Sequence, residues 1–384
     1  MEHLLNQTVK NIEISGIRKF FNMVNDFDDL VSLTIGQPDF HTPLHIKEAG
    51  ESAIQENFTS YTHNAGYFSL REAACDFVKE KYGLTYDPNS EVIVTVGASQ
   101  ALDIALRTIL SKGDEVIIPG PVYPGYEPLI RLSGGVPVYT DISKNKFRMS
   151  AKLINEQITE KTKCIILPYP SNPTGVSLSK EELLEISELI KGKEIFILAD
   201  EIYSEIVYEQ NHVSIAKFLR EQTILINGLS KSHAMTGWRI GLLFAPSIIA
   251  RHILKVHQYN VSCASSISQK AAHEALANGK YDAVAMTDEY KERRDYVYER
   301  LMNMGLETVL PEGAFYFFVK IPETIKESSF DFAVKLAKEG KLAVVPGSAF
   351  SKYGEGFFRI SYACAMETLK DGLDRLQRFL ELHE

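Results

Sequence analysis

The stretch EVIVTVGASQALDIALRTILSKGDEVIIPG, residues 91–120, alternates a short apolar segment, a helix-like run and a second apolar segment. EVIVTV and DEVIIPG are mostly apolar, which is typical of strands buried on both faces of a parallel sheet. Between them, GASQALDIALRTIL places apolar residues at helical spacing after a glycine at the turn. This unit predicts an α/β fold with a mostly parallel sheet.

The same alternation of strand-like and helix-like segments continues along the chain. Further strand-like segments are VPVYTD, KCIILPYP, EIFILADEIY, TILINGLS and RIGLLFAP, and further helix-like ones are YEPLIRLSG and KEELLEISELIKG. Nearer the C-terminus, AFYFFVKI, LAVVPGSAF and FFRISYA are strand-like, with helical patterns at 330–339 and 367–382. We therefore expect a three-layer α/β/α large domain over residues 46–285, and a smaller α+β domain formed by 1–45 with 286–384.

Composition and charge argue against several classes of function. The 384 residues are 45% hydrophobic and 24% charged, as is ordinary for a globular protein. A net charge of −9 without a long basic run argues against nucleic acid or a membrane surface as partner. Four widely spaced cysteines argue against a disulfide framework or a metal site. Without a signal-peptide pattern or a long apolar run, the expected location is cytoplasmic.

Several familiar catalytic motifs are missing from the sequence. There is no GxGxxG after a strand, no GxxxxGK[ST], no HExxH and no GxSxG. Dinucleotide enzymes, P-loop NTPases, zincins and common serine hydrolases therefore lose support. Because ligands of open α/β sheets bind outside the carboxyl ends of the strands, polar residues at those ends are the candidates for function.

A lysine and an arginine follow the apolar segment TILINGLS. Lys231 comes directly after its predicted strand end at Ser230, and Arg239 lies eight residues further on. A lone lysine in such a place is more often a solvated surface residue, because lysine is rarely buried. Two cations that converge on one rim, however, could bind an aldehyde and a phosphate together.

The full stretch GLSKSHAMTGWRIG (228–241) resembles the pyridoxal-phosphate lysine signature of class I aminotransferases. The match includes small residues three before and directly before Lys231, then Gly237, Arg239 and Gly241. The resemblance extends over essentially the whole chain and implies the fold of type I pyridoxal-phosphate transferases. It also implies pyridoxal 5′-phosphate as cofactor, with Lys231 as its covalent anchor and as the base that moves the substrate proton.

The resemblance also implies the contacts of the cofactor ring. Asp200, at the end of IFILAD, would keep the pyridine nitrogen protonated, although an aspartate there could equally cap the next turn. Tyr203 and Asn172 would bind the ring oxygen, and Asn172 would also approach the substrate carboxylate. Tyr123 would stack on the ring, whereas a buried tyrosine in a proline-rich turn is the plainer alternative.

A phosphate site is implied at the start of a predicted helix. Free N–H groups and the helix dipole favour an anion there, so Ala98 and Ser99 would bind the phosphate and Arg239 would add a charge-assisted contact. Gly228 stands where some family members have a phosphate-binding serine, so Ser230 or a water would compensate.

Substrate and subunit contacts are implied at both ends of the chain. Gly36 would offer a backbone N–H, and Arg359 would hold the α-carboxylate with its guanidinium fork, although an isolated arginine on a strand is more often solvated. Arg18 could bind a distal carboxylate, with a solvated helix position as an equal alternative. Tyr61 would reach the phosphate of a neighbouring subunit, which implies a homodimer.

The favoured reaction is ping-pong transamination between an L-amino acid and a 2-oxo acid. Aspartate and aromatic amino acids are alternative donors, and carbon–sulfur β-lyases have similar sites. A cofactor-sensing regulator would need a DNA-binding domain, for which the chain has no residues left. Specificity is expected from the segments 14–20 and 259–269. The stretches INGLSKSH and VHQYNVSCASSISQKAA resemble one subfamily more closely than the shared chemistry requires.

Overall fold

The computed structural model describes residues 1–24 and 27–383. The strands in this part of the chain are β1 (Val31–Ser32), β2 (Val92–Val96), β3 (Glu115–Gly120), β4 (Val136–Asp141), β5 (Thr162–Leu167), β6 (Phe196–Asp200), β7 (Thr223–Gly228), β8 (Ile240–Phe244), β9 (Tyr316–Lys320), β10 (Leu342–Ala343), β11 (Val345–Pro346) and β12 (Phe357–Ser361).

The helices in the same part of the chain are α1 (Gln7–Lys10), α2 (Gly16–Val24), α3 (Leu44–Gln55), α4 (Phe68–Tyr82), α5 (Gly97–Ile109), α6 (Tyr126–Leu132), α7 (Ala151–Asn155), α8 (Lys180–Ile190), α9 (Ala216–Leu219), α10 (Leu229–Ser232), α11 (Ser247–Val261), α12 (Ser266–Ala277), α13 (Ala283–Asn303), α14 (Ser329–Glu339) and α15 (Met366–Glu381). None of these described helices is long and apolar enough to cross a membrane.

A seven-stranded sheet with the order β2-β8-β7-β6-β5-β3-β4 forms the centre of the structure. The neighbours from β4 to β7 run parallel, and β8 runs antiparallel to both β7 and β2. The prediction of an α/β fold with a mostly parallel sheet is therefore confirmed. Only the segment RIGLLFAP, which forms β8, reverses the direction of the sheet.

Helices cover both faces of this sheet because its strands are apolar on both sides. In β3, Ile117 packs into the core beneath α3, α4, α8 and α12, and Val116 and Ile118 pack into the core beneath α5, α6 and α11. Each fully buried aliphatic side chain of this kind contributes roughly 1.5–3 kcal/mol of burial free energy. The result is the expected three-layer arrangement.

A third core lies around a three-stranded antiparallel sheet with the order β11-β12-β9. Residues from the N-terminal part, Phe20, Val24 and Leu33, pack into this core, and β1 pairs in parallel with β10. The division of the chain at residues 46 and 285 stays a prediction. Its second boundary falls inside α13, a continuous helix of 21 residues.

The segment before Lys231 differs from the prediction in one detail. Strand β7 ends at Gly228 rather than at Ser230, and residues 229–232 turn into the short helix α10. The side chain of Asn227 accepts the N–H of Gly228 at 2.7 Å, and the pairing with β8 ends at this residue. Lys231 consequently lies on a helical turn at the end of the strand.

Candidate active site

A cavity of about 690 Å³ lies at the carboxyl ends of the parallel strands, where the large sheet faces the three-stranded sheet. Most of the site residues predicted from the sequence line it, namely Gly36, Ala98, Ser99, Tyr123, Asn172, Asp200, Tyr203, Ser230, Lys231, Arg239 and Arg359. The structure therefore brings these residues together. Their individual roles stay predictions.

Lys231 is a partly buried residue in the lining of this cavity. Its Nζ donates a hydrogen bond to the carbonyl oxygen of Gly36 at 2.6 Å. Burial lowers the pKa of Lys231 to about 8, and the positive charges of Arg359 and Arg239 act in the same direction. A lysine with such a pKa is neutral in about a tenth of the molecules at pH 7, far more than an unshifted lysine, which makes its amine available as a nucleophile and as a base.

Asp200 is the last residue of β6 and is buried in the cavity wall. Its Oδ2 accepts a hydrogen bond from Tyr126 Oη at 2.7 Å, and its Oδ1 accepts one from the N–H of Ile202 at 3.3 Å. Burial raises the pKa of Asp200 to about 6, although both hydrogen bonds act to lower it. Above that pH the carboxylate is charged and can hold a protonated ring nitrogen. Sequence reasoning missed Tyr126, whose one signal was the second tyrosine of PGPVYPGY.

An anion-binding corner lies at the start of α5. Gly97 has a φ of +74°, and a methyl group added to it would collide with the guanidinium of Arg239. The glycine therefore leaves room for Arg239, which lines the cavity together with Ala98 and Ser99 and whose Nη1 donates to the carbonyl oxygen of Thr236 at 2.9 Å. Backbone N–H groups of a helix start and a guanidinium together form a favourable site for a phosphate.

Arg359 lies on β12 and is almost fully buried, with 2% of its surface exposed. Its Nη1 donates to Asn172 Oδ1 at 2.8 Å and its Nη2 donates to the carbonyl oxygen of Thr34 at 2.6 Å. Burial lowers the pKa of Arg359, and within the described residues no carboxylate forms an ion pair with it. A buried guanidinium without an anionic partner is costly, so the position favours a negatively charged ligand.

Two tyrosines, Tyr203 and Tyr316, also line the cavity. Tyr203 Oη and Tyr316 Oη lie 2.8 Å apart and form a hydrogen bond. A methyl group added to Gly36 would lie only 2.9 Å from Tyr316 Oη, so a glycine is required for the backbone to approach so closely. Tyr316 is a second residue that sequence reasoning missed, because it lies inside the apolar segment AFYFFVKI.

Two predicted residues lie outside the cavity. Helix α2 turns Ile17 and Phe21, four residues apart, toward the cavity, so the intervening Arg18 is exposed and does not line it. The structure thus does not bring Arg18 to the site of its own chain. Tyr61 is 86% exposed and likewise does not line the cavity.

Metal ligands do not form a cluster here: among residues 1–24 and 27–383, no group of three or more His, Cys, Asp or Glu side chains could hold a metal ion.

Comparison with known proteins agrees with this geometry. The family model "Aminotransferase class I and II" matches residues 28–376. A probable N-acetyl-LL-diaminopimelate aminotransferase of Bacillus subtilis is 60% identical over 99% of this chain and 96% of its own length. An aspartate aminotransferase of Pyrococcus abyssi is 42% identical over 95% of each chain. The crystal structure of an aromatic aminotransferase from Pyrococcus horikoshii superposes with a TM-score of 0.90 and 40% identity, over 94% of this chain and 99% of the other.

Proposed function

The chain belongs to the class I and II aminotransferases, and from that premise we propose that it transfers an amino group between N-acetyl-LL-2,6-diaminopimelate and the 2-oxoglutarate/glutamate pair, a step of lysine biosynthesis. The observation that carries the chemistry is the amine of Lys231, with its lowered pKa, in one cavity with Asp200 and Arg359. The donor is proposed from the 60% identity to the Bacillus relative. The stretches INGLSKSH and VHQYNVSCASSISQKAA, whose resemblance to one subfamily exceeds what the shared chemistry needs, support the same donor.

Pyridoxal 5′-phosphate is the proposed cofactor, and the residues of the cavity fit it. The amine of Lys231 can bind an aldehyde covalently, and the corner between Arg239 and the start of α5 suits a phosphate. Asp200 can hold a protonated ring nitrogen, and the ring of Tyr123 lies in the same lining. When bound, this cofactor supplies an electron sink that stabilises negative charge at the substrate Cα.

The residues of the chain bind the substrate, transfer its proton and hold the cofactor ring. Arg359 and Asn172 bind the α-carboxylate, which fixes the substrate Cα near Lys231. Lys231 Nζ removes the proton from that carbon and later returns a proton, as general base and acid. Asp200 keeps its partner nitrogen protonated, and Tyr203 donates a hydrogen bond to the ring oxygen.

Aspartate is the second candidate donor, favoured by the Pyrococcus abyssi relative. The cavity lining, however, also contains the apolar side chains of Ile17, Phe21 and Ile35. Such a wall suits the methylene groups of a long donor better than a short acidic side chain.

We further propose a homodimer in which Tyr61 reaches the phosphate corner of the second subunit. The exposure of Tyr61 and of Tyr259, 86% and 88%, supports this, since large aromatic side chains are enriched at protein interfaces. Cytoplasmic location remains part of the same proposal.

A donor–acceptor panel tests the function. The purified holoenzyme is mixed with N-acetyl-LL-2,6-diaminopimelate, aspartate or phenylalanine, and its cofactor absorbance is followed before and after addition of 2-oxoglutarate. We expect the diaminopimelate derivative to change the absorbance at the lowest concentration, and 2-oxoglutarate to restore it. Preference for aspartate would overturn the donor assignment, and release of pyruvate and ammonia from a cysteine conjugate would indicate a β-lyase.

A further inference from the structure

Part of the segment of residues 34–42 lines the cavity, but no backbone hydrogen bonds of a helix or sheet hold this segment in the part of the chain that the structure describes. It connects β1 to α3 and contributes Thr34, Ile35, Gly36 and Gln37 to the lining. Among the described residues, none of its backbone groups makes a hydrogen bond to another backbone group. Its position must therefore be set by side chains, since an unsupported loop would sample many conformations.

Two of the side-chain contacts of this segment belong to groups that the proposed chemistry uses. Arg359 donates to the carbonyl oxygen of Thr34, and Lys231 donates to that of Gly36. In the proposed function Arg359 binds substrate and Lys231 binds cofactor and moves a proton. Neither can serve as a constant support through a reaction cycle.

Arg293 provides a support that the chemistry leaves untouched. It lies on α13, and its Nη1 donates to both carboxylate oxygens of Asp39 at 2.9 Å. Tyr290 Oη, from the same helix, donates to Asp39 Oδ1 at 3.1 Å. Asp39 is three residues from Gly36, so this contact fixes the segment close to the part that lines the cavity.

The surroundings of Arg293 make this contact rigid. Its side chain is 5% exposed, and its guanidinium lies over the rings of Phe40 and Tyr290 at 5.2 and 5.4 Å. Its Nη2 also donates to Glu289, one turn earlier on the helix, at 2.5 Å. A buried guanidinium held by two carboxylates and two rings has little conformational freedom, so it stabilises one position of the segment.

We propose that Arg293 is a positioning residue, which through Asp39 holds the segment 34–42 against α13 and so sets the wall formed by Ile35, Gly36 and Gln37. This inference rests on the proposed function for its kinetic consequence. Arg293 does not touch the reacting atoms, so its loss should weaken substrate binding more than it slows the chemical step.

The test compares Arg293→Gln with Glu289→Gln, which removes the other ion pair of Arg293 but leaves the segment untouched. Chymotrypsin cleavage of the holoenzyme after Phe40 is followed by mass spectrometry under native conditions, together with KM and kcat for the best donor of the panel. Loss of a charge-assisted contact predicts about tenfold faster cleavage at Phe40 and about a tenfold higher KM, with kcat within about threefold. Glu289→Gln should resemble wild type, and Arg293→Lys should recover part of the effect.

Several outcomes would overturn the inference. Unchanged cleavage at Phe40, an equal rise of cleavage at sites over the whole chain, or an equal effect of Glu289→Gln would each do so. If Arg293→Gln does not fold, Asp39→Asn breaks the same contact from a partly exposed side chain of similar shape. If wild type shows no transamination, the proposed function fails, whereas localised cleavage in the variant still supports the anchor and uniform cleavage still refutes it.

Discussion

The two sides of the cavity are built differently. The side that carries Asp200 and Lys231 stands at the ends of β6 and β7, whose backbones are paired on both edges. The other side consists of α2 and the segment 34–42, and the segment is held by side chains rather than by backbone pairing. The difference indicates that the proposed reacting groups stand on the more rigid side, whereas the groups proposed to contact the substrate side chain depend on a few side-chain contacts for their position. Substitutions on the first side should therefore reduce kcat, and those on the second should change KM and selectivity.

The largest effect is expected on the rigid side, from Lys231→Ala. Loss of both the nucleophile and the general base should lower turnover by at least about 10⁴-fold. The cofactor should still bind noncovalently, because Arg239 and Asp200 remain. Steady-state rates and the cofactor content of the purified variant check this. Exposed Lys112→Ala provides the control, and normal turnover in Lys231→Ala would disprove the assignment.

Asp200→Asn should give the next largest effect and should again act on kcat. The amide cannot keep the ring nitrogen protonated by its charge, so we expect kcat to fall about 10²–10³-fold. Because the pKa of Asp200 is raised to about 6, its charge is present above that pH and is lost as the pH falls through it. Wild-type kcat should therefore decline below about pH 6. If kcat of the variant declined below about pH 6 as it does in wild type, this role of Asp200 would be contradicted.

Arg359 lies where the two sides meet, and Arg359→Gln should weaken substrate binding without lowering the stability of the ligand-free protein. Loss of the guanidinium fork should raise KM for every α-amino acid about 100-fold. Since Arg359 is buried without an anionic partner among the described residues, the ligand-free variant should melt at the same temperature as wild type or above it. Thermal unfolding and kinetics measure the two effects. Lower stability without a change in KM would show that Arg359 is structural.

How far the sequence alone predicted the site depends on whether a local pattern marks a residue, and not on its side of the cavity. Lys231, Asp200 and Arg239 were predicted because strand ends and a local signature mark them in the chain. Tyr126, Tyr316 and Arg293 were missed because their contacts join residues far apart in sequence. Arg18 was chosen for its charge, whereas helix geometry decides that Ile17 and Phe21 face the cavity.

The amine of Lys231 should also control how fast the cofactor attaches to the cofactor-free protein. Its pKa is lowered to about 8, so the neutral form that attacks an aldehyde grows as the pH rises through that value. Between pH 7 and pH 9 the attachment rate should rise about tenfold, because the neutral fraction rises by that factor. Stopped-flow absorbance measures it. A rate that still rises steeply above pH 9.5 would show that the lysine is not shifted.

Phe21→Ala should give the smallest effect, confined to the side formed by α2 and the segment 34–42. Phe21 is 37% exposed and lines the cavity beside Ile17, so its loss removes part of the apolar contact for a long donor. We expect about a fivefold higher KM for N-acetyl-LL-2,6-diaminopimelate, with kcat retained and the KM for aspartate unchanged. Arg18→Ala on the same helix is the matched control. If Arg18→Ala raised KM for the long donor and Phe21→Ala did not, the distal carboxylate rather than the methylene chain would be recognised here. Arg18 would then have to reach the cavity of a second subunit, because it does not line the cavity of its own.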